Sequence, residues 1–176
     1  MRRSDMIEKP RLVPLDHALP IDEASPTPSV GAHISHAIEV MAKTLWGEAR
    51  GEGKLGMEAV AAVIMNRVAV AEAAGGAYWW GHDVVSVCQR PWQFSCWNDR
   101  DPNRHLIEGV SPRDQAYANA LTIARHAIYG LLADPTARDG GKGATHYHAR
   151  GITPNWAIGQ RPTATIGRHI FFRLVD

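Results

Sequence analysis

Cysteine, surplus charge and long apolar segments are all scarce in this sequence of 176 residues. Two cysteines are too few for a disulfide framework, and a fold of this length needs none because it buries roughly 70% of its unfolded surface. Nineteen basic and eighteen acidic residues give a net charge of +1, which argues against a dedicated nucleic-acid-binding protein. No apolar run approaches the roughly 18 residues of a membrane span. We therefore expect a globular domain with no membrane span and no nucleic-acid partner.

The first 33 residues have the composition of an extended arm. Five prolines are scattered among charged residues without periodicity, and the basic residues Arg2 and Arg3 are not followed by the apolar segment of a Sec-type export signal. A packed domain is predicted over residues 34–176. Cys88 and Cys96 are expected to be free thiols in buried positions.

Apolar spacing predicts three substantial helices. Apolar residues recur at three- and four-residue intervals over 34–45, with Ser35 as the expected N-cap. A second helix is predicted over about 57–68, apolar on most sides and therefore buried, after a loop that contains Gly53 and Gly56. A third is expected to follow Ser111 as N-cap and to run to about Leu132.

Short, β-leaning aromatic runs at 145–148 and 169–174 predict a small sheet near the C-terminus. Because the helices come first and the strands follow, the predicted fold class is α+β, mainly α.

Glu48 is the most informative single residue of the first helix. Projected at 100° per residue, it falls about 40° from the centre of the apolar stripe. Burial disfavours the charged form of a carboxylate, which suits a general acid. The alternative is an ion pair with Arg50 or Arg67 that only joins helix ends, and the residues alone favour neither. Glu52 is expected on a turn, in a local salt bridge, and Glu58 in solvent.

Six tryptophans against three phenylalanines are an unusual ratio. Flat indole faces stack on sugar rings, so a saccharide-binding cleft fits this composition. Trp79 and Trp80, which follow Tyr78, are expected to be exposed and to bind substrate.

His146 and His148 lie two residues apart and would share one face of a strand. Two such histidines can ligate zinc if His126, His169 or a carboxylate supplies a third ligand, but no metal-binding signature is present. We favour a packing role for both histidines and expect no metal and no cofactor.

Six separated blocks in order resemble the SleB-type cell wall hydrolases, which are the spore-cortex-lytic enzymes and their phage endolysin relatives. The likeness extends over roughly residues 37 to 173. Its blocks are the segments 46–52 (WGEARGE), 59–68 (AVAAVIMNRV), 93–95 (QFS), 143–147 (GATHY), Trp156 with 161–162 (RP), and 166–171 (IGRHIF).

This resemblance implies a lysozyme-like, mainly helical fold and cleavage of the peptidoglycan glycan strand. It implies that Glu48 is the catalytic residue of a lytic transglycosylase. Glu48 would protonate the oxygen between N-acetylmuramic acid and N-acetylglucosamine, and then take the proton of the muramic C6 hydroxyl as a 1,6-anhydro ring closes. The alternative form of glycan-strand cleavage is hydrolysis, by a muramidase. The positions implied to line the cleft are Gln93, Ser95, Thr145, Tyr147 and Trp156.

Two departures from the spore enzymes affect this cleft. Residues 73–83 look like an insertion, and His146 and His148 stand where the spore proteins have aromatic residues. The subsite preferences of the spore enzymes are therefore not expected to carry over to this chain.

A chain without an export signal or a wall-binding repeat is typical of a phage or prophage endolysin. We expect a monomer made in the cytoplasm that reaches the wall through a membrane lesion at host lysis. Two other classes stay open. One is a zinc-dependent N-acetylmuramoyl-L-alanine amidase that uses His146 and His148, and the other is a non-catalytic wall-binding or virion protein.

Overall fold

The computed structural model describes residues 29–138 and 140–175. Its helices are α1 (Val30–Ala49), α2 (Gly53–Ala73), α3 (Val84–Gln89), α4 (Arg104–Gly109) and α5 (Gln115–Ile128). Its strands are β1 (His146–Ala149), β2 (Ala164–Ile166) and β3 (His169–Phe172), and single 3-10 turns occupy Arg50–Glu52, Ser95–Trp97 and Asn155–Ala157. The predicted α+β class, with three long helices before a small sheet, is confirmed.

Helix α1 begins earlier than its apolar pattern predicts. Its N-cap is Ser29, whose hydroxyl accepts a hydrogen bond from the Ala32 N–H at 3.3 Å, and the expected cap Ser35 lies inside the helix. Residues 30–33 are exposed, so this extra turn packs against nothing and leaves no apolar signal in the sequence. Packing starts at Ile34, as expected. Residues 1–28 of the predicted arm lie outside the described residues.

The turn from α1 into α2 is tighter than expected. Gly53 and Gly56, predicted to lie in a loop, belong to the first turns of α2. Gly56 is buried, and a Cβ at that position would collide with the side chain of Glu52. Glycine is thus required here because the Glu52 side chain packs over the start of the helix.

The start and end of α5 also differ from the sequence prediction. Asp114, not Ser111, is the N-cap, because its carboxylate accepts hydrogen bonds from the Tyr117 N–H at 2.9 Å and from the Trp46 indole at 3.1 Å. The second of these bonds ties the start of α5 to α1. The helix ends at Ile128, four residues before Leu132.

The main core lies between α1, α2, α3 and α5, and burying each of its large side chains stabilises the fold by roughly 1.5–3 kcal/mol. Helix α2 is buried on two sides, as its sequence predicts. One side joins the main core, and the other places Ala59 and Val63 against Phe171 of β3. The largest fully buried side chains include Met41, Leu45, Ile64, Trp80, Phe94, Ile107 and Phe171.

The three strands form an antiparallel sheet in the order β1-β3-β2. Tyr147 of β1 pairs with Phe171 of β3, and both side chains face α2. His146 pairs with Phe172, and successive side chains of a strand point to opposite faces, so these two lie on the outer face of the sheet.

No helix in the described part of the chain combines the length and the apolar character needed to cross a bilayer.

Candidate active site

Three hydrogen-bond donors converge on the carboxylate of Glu48 in the last turn of α1. The backbone N–H of Cys96 donates to Oε1 at 2.9 Å, and the hydroxyl of Ser95 donates to the same oxygen at 3.3 Å. The phenol of Tyr147 donates to Oε2 at 3.0 Å. Glu48 is half-buried and Ser95 is exposed, so the site lies at the surface of the fold and not in its core.

Gly47 lets the 3-10 turn at Ser95–Trp97 approach α1 closely. A Cβ at Gly47 would lie 2.6 Å from Cβ and 2.9 Å from Sγ of Cys96. Contacts that short do not occur between real side chains. The absence of a side chain therefore allows the Cys96 N–H to reach the neighbouring Glu48 carboxylate.

Tyr147 is fixed by aromatic packing on the inner face of the sheet. Its ring centroid lies 5.0 Å from that of His169 and 5.6 Å from that of Phe171, both on β3. Burial raises the pKa of the Tyr147 phenol well above its ordinary value, and the negative charge of Glu48 raises it further. The phenol therefore keeps its proton and acts as a hydrogen-bond donor to a carboxylate.

The two arginines that were alternative partners for Glu48 bind elsewhere. Arg50 donates to the backbone carbonyl of Trp46 at 3.2 Å and to the amide oxygen of Asn103 at 2.8 Å. Buried Arg67 donates through Nε to the carbonyl of Thr145 at 2.8 Å, and burial lowers its pKa to about 10. These contacts favour the functional interpretation of Glu48 over a structural ion pair.

Glu52 has a different role from Glu48. It accepts hydrogen bonds from the backbone N–H of Arg168 at 2.8 Å and from Nε of Arg168 at 2.7 Å. The backbone donor lowers the pKa of Glu52 most, and the guanidinium lowers it further. The expected local salt bridge is thus a long-range one, which fastens the α1–α2 turn to the turn between β2 and β3.

Two of the residues expected to bind substrate are inaccessible. Thr145 is fully buried, and its hydroxyl accepts a hydrogen bond from the Leu174 N–H at 3.2 Å. Trp80 is also fully buried and donates from its indole to the Arg67 carbonyl at 3.0 Å. The prediction that these two side chains face the cleft is wrong, because both satisfy polar groups inside the fold.

The other residues expected to bind substrate, Gln93, Trp79 and Trp156, lie in three different parts of the fold. Gln93 is half-buried and two residues before Ser95. Trp79 is 53% exposed and packs on Trp80, with the two ring centroids 5.1 Å apart. Trp156 is 38% exposed and covers the outer face of the sheet, opposite to the face that carries Tyr147.

Trp92 is an unusual residue that the sequence analysis did not single out. It is 84% exposed, and its φ of +68° lies in the left-handed region that side chains disfavour. It occupies the third position of a turn closed by a hydrogen bond from the Gln93 N–H to the Arg90 carbonyl at 3.1 Å. Pro91 at the second position predicts a turn, but nothing in the sequence predicts a tryptophan where glycine or asparagine is favoured.

The histidines do not converge with other ligands. His146 and His148 pack around Trp156 at centroid distances of 5.4 and 5.6 Å, whereas His169 contacts Tyr147 on the other face of the sheet. Burial and the nearby Arg67 lower the pKa of His146 to about 4. Within residues 29–138 and 140–175, no group of three or more His, Cys, Asp or Glu side chains is arranged to hold a metal ion.

Both cysteines are free and buried, as the sequence predicts. Burial raises the pKa of Cys88 to about 12, and burial together with the charge of Glu48 raises that of Cys96. Neither thiol is poised to act as a nucleophile, because the thiolate is the reactive form.

A groove of about 760 Å³ lies away from this site, against the second half of α2. Its lining includes Asn66, Tyr78, Asp134 and Arg173, and Glu48 does not contribute to it. This groove is therefore not the cleft that the sequence analysis expects around Glu48.

Comparison with known proteins supports this fold. A family model described as cell wall hydrolase matches residues 51–172, a range that begins shortly after Glu48. A spore cortex-lytic enzyme of Halalkalibacterium halodurans is 29% identical over 152 residues, which are 86% of this chain and 38% of that protein. One from Bacillus cereus is 29% identical over 136 residues, which are 76% of this chain and 43% of that protein. The chain thus spans well under half the length of these relatives.

Two solved structures are similar to this chain. The catalytic domain of SleB, a germination-specific lytic transglycosylase from Bacillus anthracis, is 30% identical with a TM-score of 0.56, covering 78% of this chain and 93% of that domain. The catalytic domain of the Bacillus cereus SleB protein is 28% identical with a TM-score of 0.55, covering 79% and 91%. The family model matches most of this chain, which therefore belongs to the SleB-type cell wall hydrolase family.

Proposed function

We propose that this chain cleaves the glycan strand of peptidoglycan as a lytic transglycosylase, with Glu48 as its only acid and base. The observation that carries the proposal is the set of donors around Glu48. It comprises one backbone N–H, which can only donate, and two hydroxyl groups, which can donate or accept.

This donor set suits both protonation states of the carboxyl. When Glu48 is ionised, all three groups donate to it. When Glu48 carries a proton, the Cys96 N–H still requires Oε1 as acceptor, so the proton belongs on Oε2, where the Tyr147 oxygen can accept it. The same three groups can therefore satisfy the carboxyl before and after proton transfer.

The reaction then needs no external water. The carboxyl of Glu48 gives its proton to the oxygen between N-acetylmuramic acid and N-acetylglucosamine as the bond from that oxygen to muramic C1 breaks. The muramic C6 oxygen forms a new bond to C1, and the C6 hydroxyl proton returns to Glu48. The products are a free N-acetylglucosamine end and a 1,6-anhydro-muramyl end, and the enzyme is unchanged.

A single carboxylate is consistent with this chemistry. Hydrolases of this type often use a second carboxylate within roughly 5–9.5 Å, which positions water or acts as a nucleophile. The nearest acidic neighbour in the sequence, Glu52, is held by two hydrogen bonds to Arg168 and is not free for that role. The similarity to a domain named as a lytic transglycosylase also supports the proposal.

The test is mass spectrometry of muropeptides released from purified peptidoglycan. We expect 1,6-anhydro-muramyl ends from the parent chain and no release by Glu48→Gln, which keeps the shape and loses the proton. Glu58→Gln is the matched control, since Glu58 forms an ion pair with Lys54 at 3.6 Å on the surface of α2 and should be dispensable.

Other products would identify other activities. Reducing muramic acid ends would indicate a hydrolytic muramidase, and free stem peptides would indicate an amidase. Absence of any product from the parent would favour a non-catalytic wall-binding protein. The matched relatives are spore cortex-lytic enzymes, so release by phage lysis stays a prediction.

A further inference from the structure

Trp92 combines two unfavourable features that no contact in the fold explains. Its indole is 84% exposed although it is the largest apolar side chain, and its backbone is left-handed, which favours glycine or asparagine. Backbone conformations of this kind concentrate at binding and active sites, where the surroundings hold them in place. An exposed residue that also strains the backbone is therefore better explained by a ligand than by folding.

The turn that carries Trp92 is attached to the segment that serves Glu48. The backbone N–H of Trp92 donates to the side-chain oxygen of Asn98 at 3.3 Å, just beyond the 3-10 turn at Ser95–Trp97. Trp92 is three residues before Ser95, so their Cα atoms are within about 11 Å of each other. Trp92 is thus carried by the same short segment as Ser95 and Cys96, which donate to the carboxylate of Glu48.

We propose that Trp92 is a stacking platform for one pyranose ring of the glycan strand, in a subsite next to the one that is cleaved. The apolar face of an N-acetylhexosamine matches a flat indole, and a rigid aromatic side chain binds it with little loss of conformational freedom. The indole is 84% exposed and is therefore open to such a ring. This proposal rests on the proposed function, because it assumes that the strand lies across Glu48.

The test measures binding in an inactive background. Glu48→Gln and Glu48→Gln with Trp92→Asn are titrated with soluble glycan strands freed of their stem peptides. We expect the asparagine variant to bind on the order of tenfold more weakly, and Trp92→Phe to lose only part of the affinity. Trp92→Asn in the active chain should raise KM with little change in kcat, since a distant ring contributes binding and not chemistry.

Stability separates this role from a structural one. Asparagine tolerates the left-handed region, so Trp92→Asn should unfold in urea at a midpoint no lower than that of the parent. Tyr129→Asn is the matched control. Tyr129 is a 60% exposed aromatic residue that lines a groove together with Ser35. Ser35 is about 20 Å from Glu48 along α1, so the loss of the Tyr129 ring should leave glycan binding unchanged.

Two results would overturn the proposal. One is equal affinity of the Trp92→Asn variant and its background for the strands. The other is a lower unfolding midpoint for both Trp92 variants, which would make the indole part of the fold. Neither depends on the catalytic assignment, which fails separately if Glu48→Gln still releases anhydro-muramyl ends.

Discussion

Replacing Gly47 by alanine tests whether close contact between α1 and the turn at Ser95–Trp97 makes the site. The new methyl group would lie 2.6 Å from Cβ of Cys96, and 3.4 Å from a methyl of Ile107. Overpacking of this kind costs about 1–3 kcal/mol, whereas alanine gains up to about 1 kcal/mol over glycine within a helix. We expect the free energy of unfolding, measured in urea, to fall by about 0–2 kcal/mol.

Activity should fall more than stability does. The turn has to move outwards by a fraction of an ångström or more, and the Cys96 N–H then leaves Oε1 of Glu48. Misplacement of a catalytic group by about 1 Å can reduce the rate on the order of a hundredfold. We therefore expect Gly47→Ala to release anhydro-muramyl products roughly 10- to 100-fold more slowly than the parent.

Two further variants test whether the loss of activity is caused by the contact between residue 47 and Cys96. Gly31→Ala changes a glycine of the same helix whose Cβ would meet only the Ser29 hydroxyl at 3.9 Å, and it should be harmless. Cys96→Gly removes both atoms that Gly47→Ala would strike, so the double variant should show a favourable coupling energy. Full activity of Gly47→Ala, or no coupling with Cys96→Gly, would refute this account of the site.

Three other predictions follow from contacts of the site and its supports. Tyr147→Phe keeps the ring packing and removes the hydrogen-bond donor to the carboxylate of Glu48. The turnover rate should therefore fall by roughly 10- to 100-fold, the equivalent of about 1.5–3 kcal/mol, while the circular dichroism spectrum stays unchanged. An unaltered rate would exclude the proton-sharing role of Tyr147. The hydrogen bonds from Arg168 hold the pKa of Glu52 below its ordinary value, so this carboxylate stabilises the fold when it is ionised and the contribution is lost as acid protonates it. Urea unfolding of Glu52→Gln should accordingly lose less free energy than the parent between about pH 5 and 3, and parallel pH curves would contradict this. A thiol reagent at about pH 8 should label Cys88 and Cys96 only after unfolding in urea, and rapid labelling of the folded chain would show that they are accessible.

Periodicity and composition account for the elements that bury a continuous face. The two-sided apolar character of α2 correctly predicts that it lies between the helical core and the sheet. The same reasoning brings Glu48 to the core side of α1. It overstates the depth of burial, because Glu48 is half-buried while its neighbour Ala49 is in the core.

The parts that periodicity does not predict depend on contacts between distant residues. The choice of Asp114 over Ser111 as a cap is decided by the Trp46 indole, which lies 68 residues away in the sequence. The donor from Cys96 is a backbone N–H, which every residue but proline carries and no sequence pattern marks. Only the resemblance to a known family predicts Tyr147 as a site residue, since 99 residues separate it from Glu48 in the sequence.

The pairing of β1 with β3 has a consequence for the order in which the protein becomes competent. Tyr147 lies on β1, and its partner strand His169–Phe172 follows it in the chain and is therefore synthesised later. Until those residues are made, the phenol has no aromatic neighbours on β3 to hold it against the carboxylate of α1. A nascent chain that has not yet reached β3, or a chain trimmed back past it, therefore carries the acid without its proton-sharing partner in place.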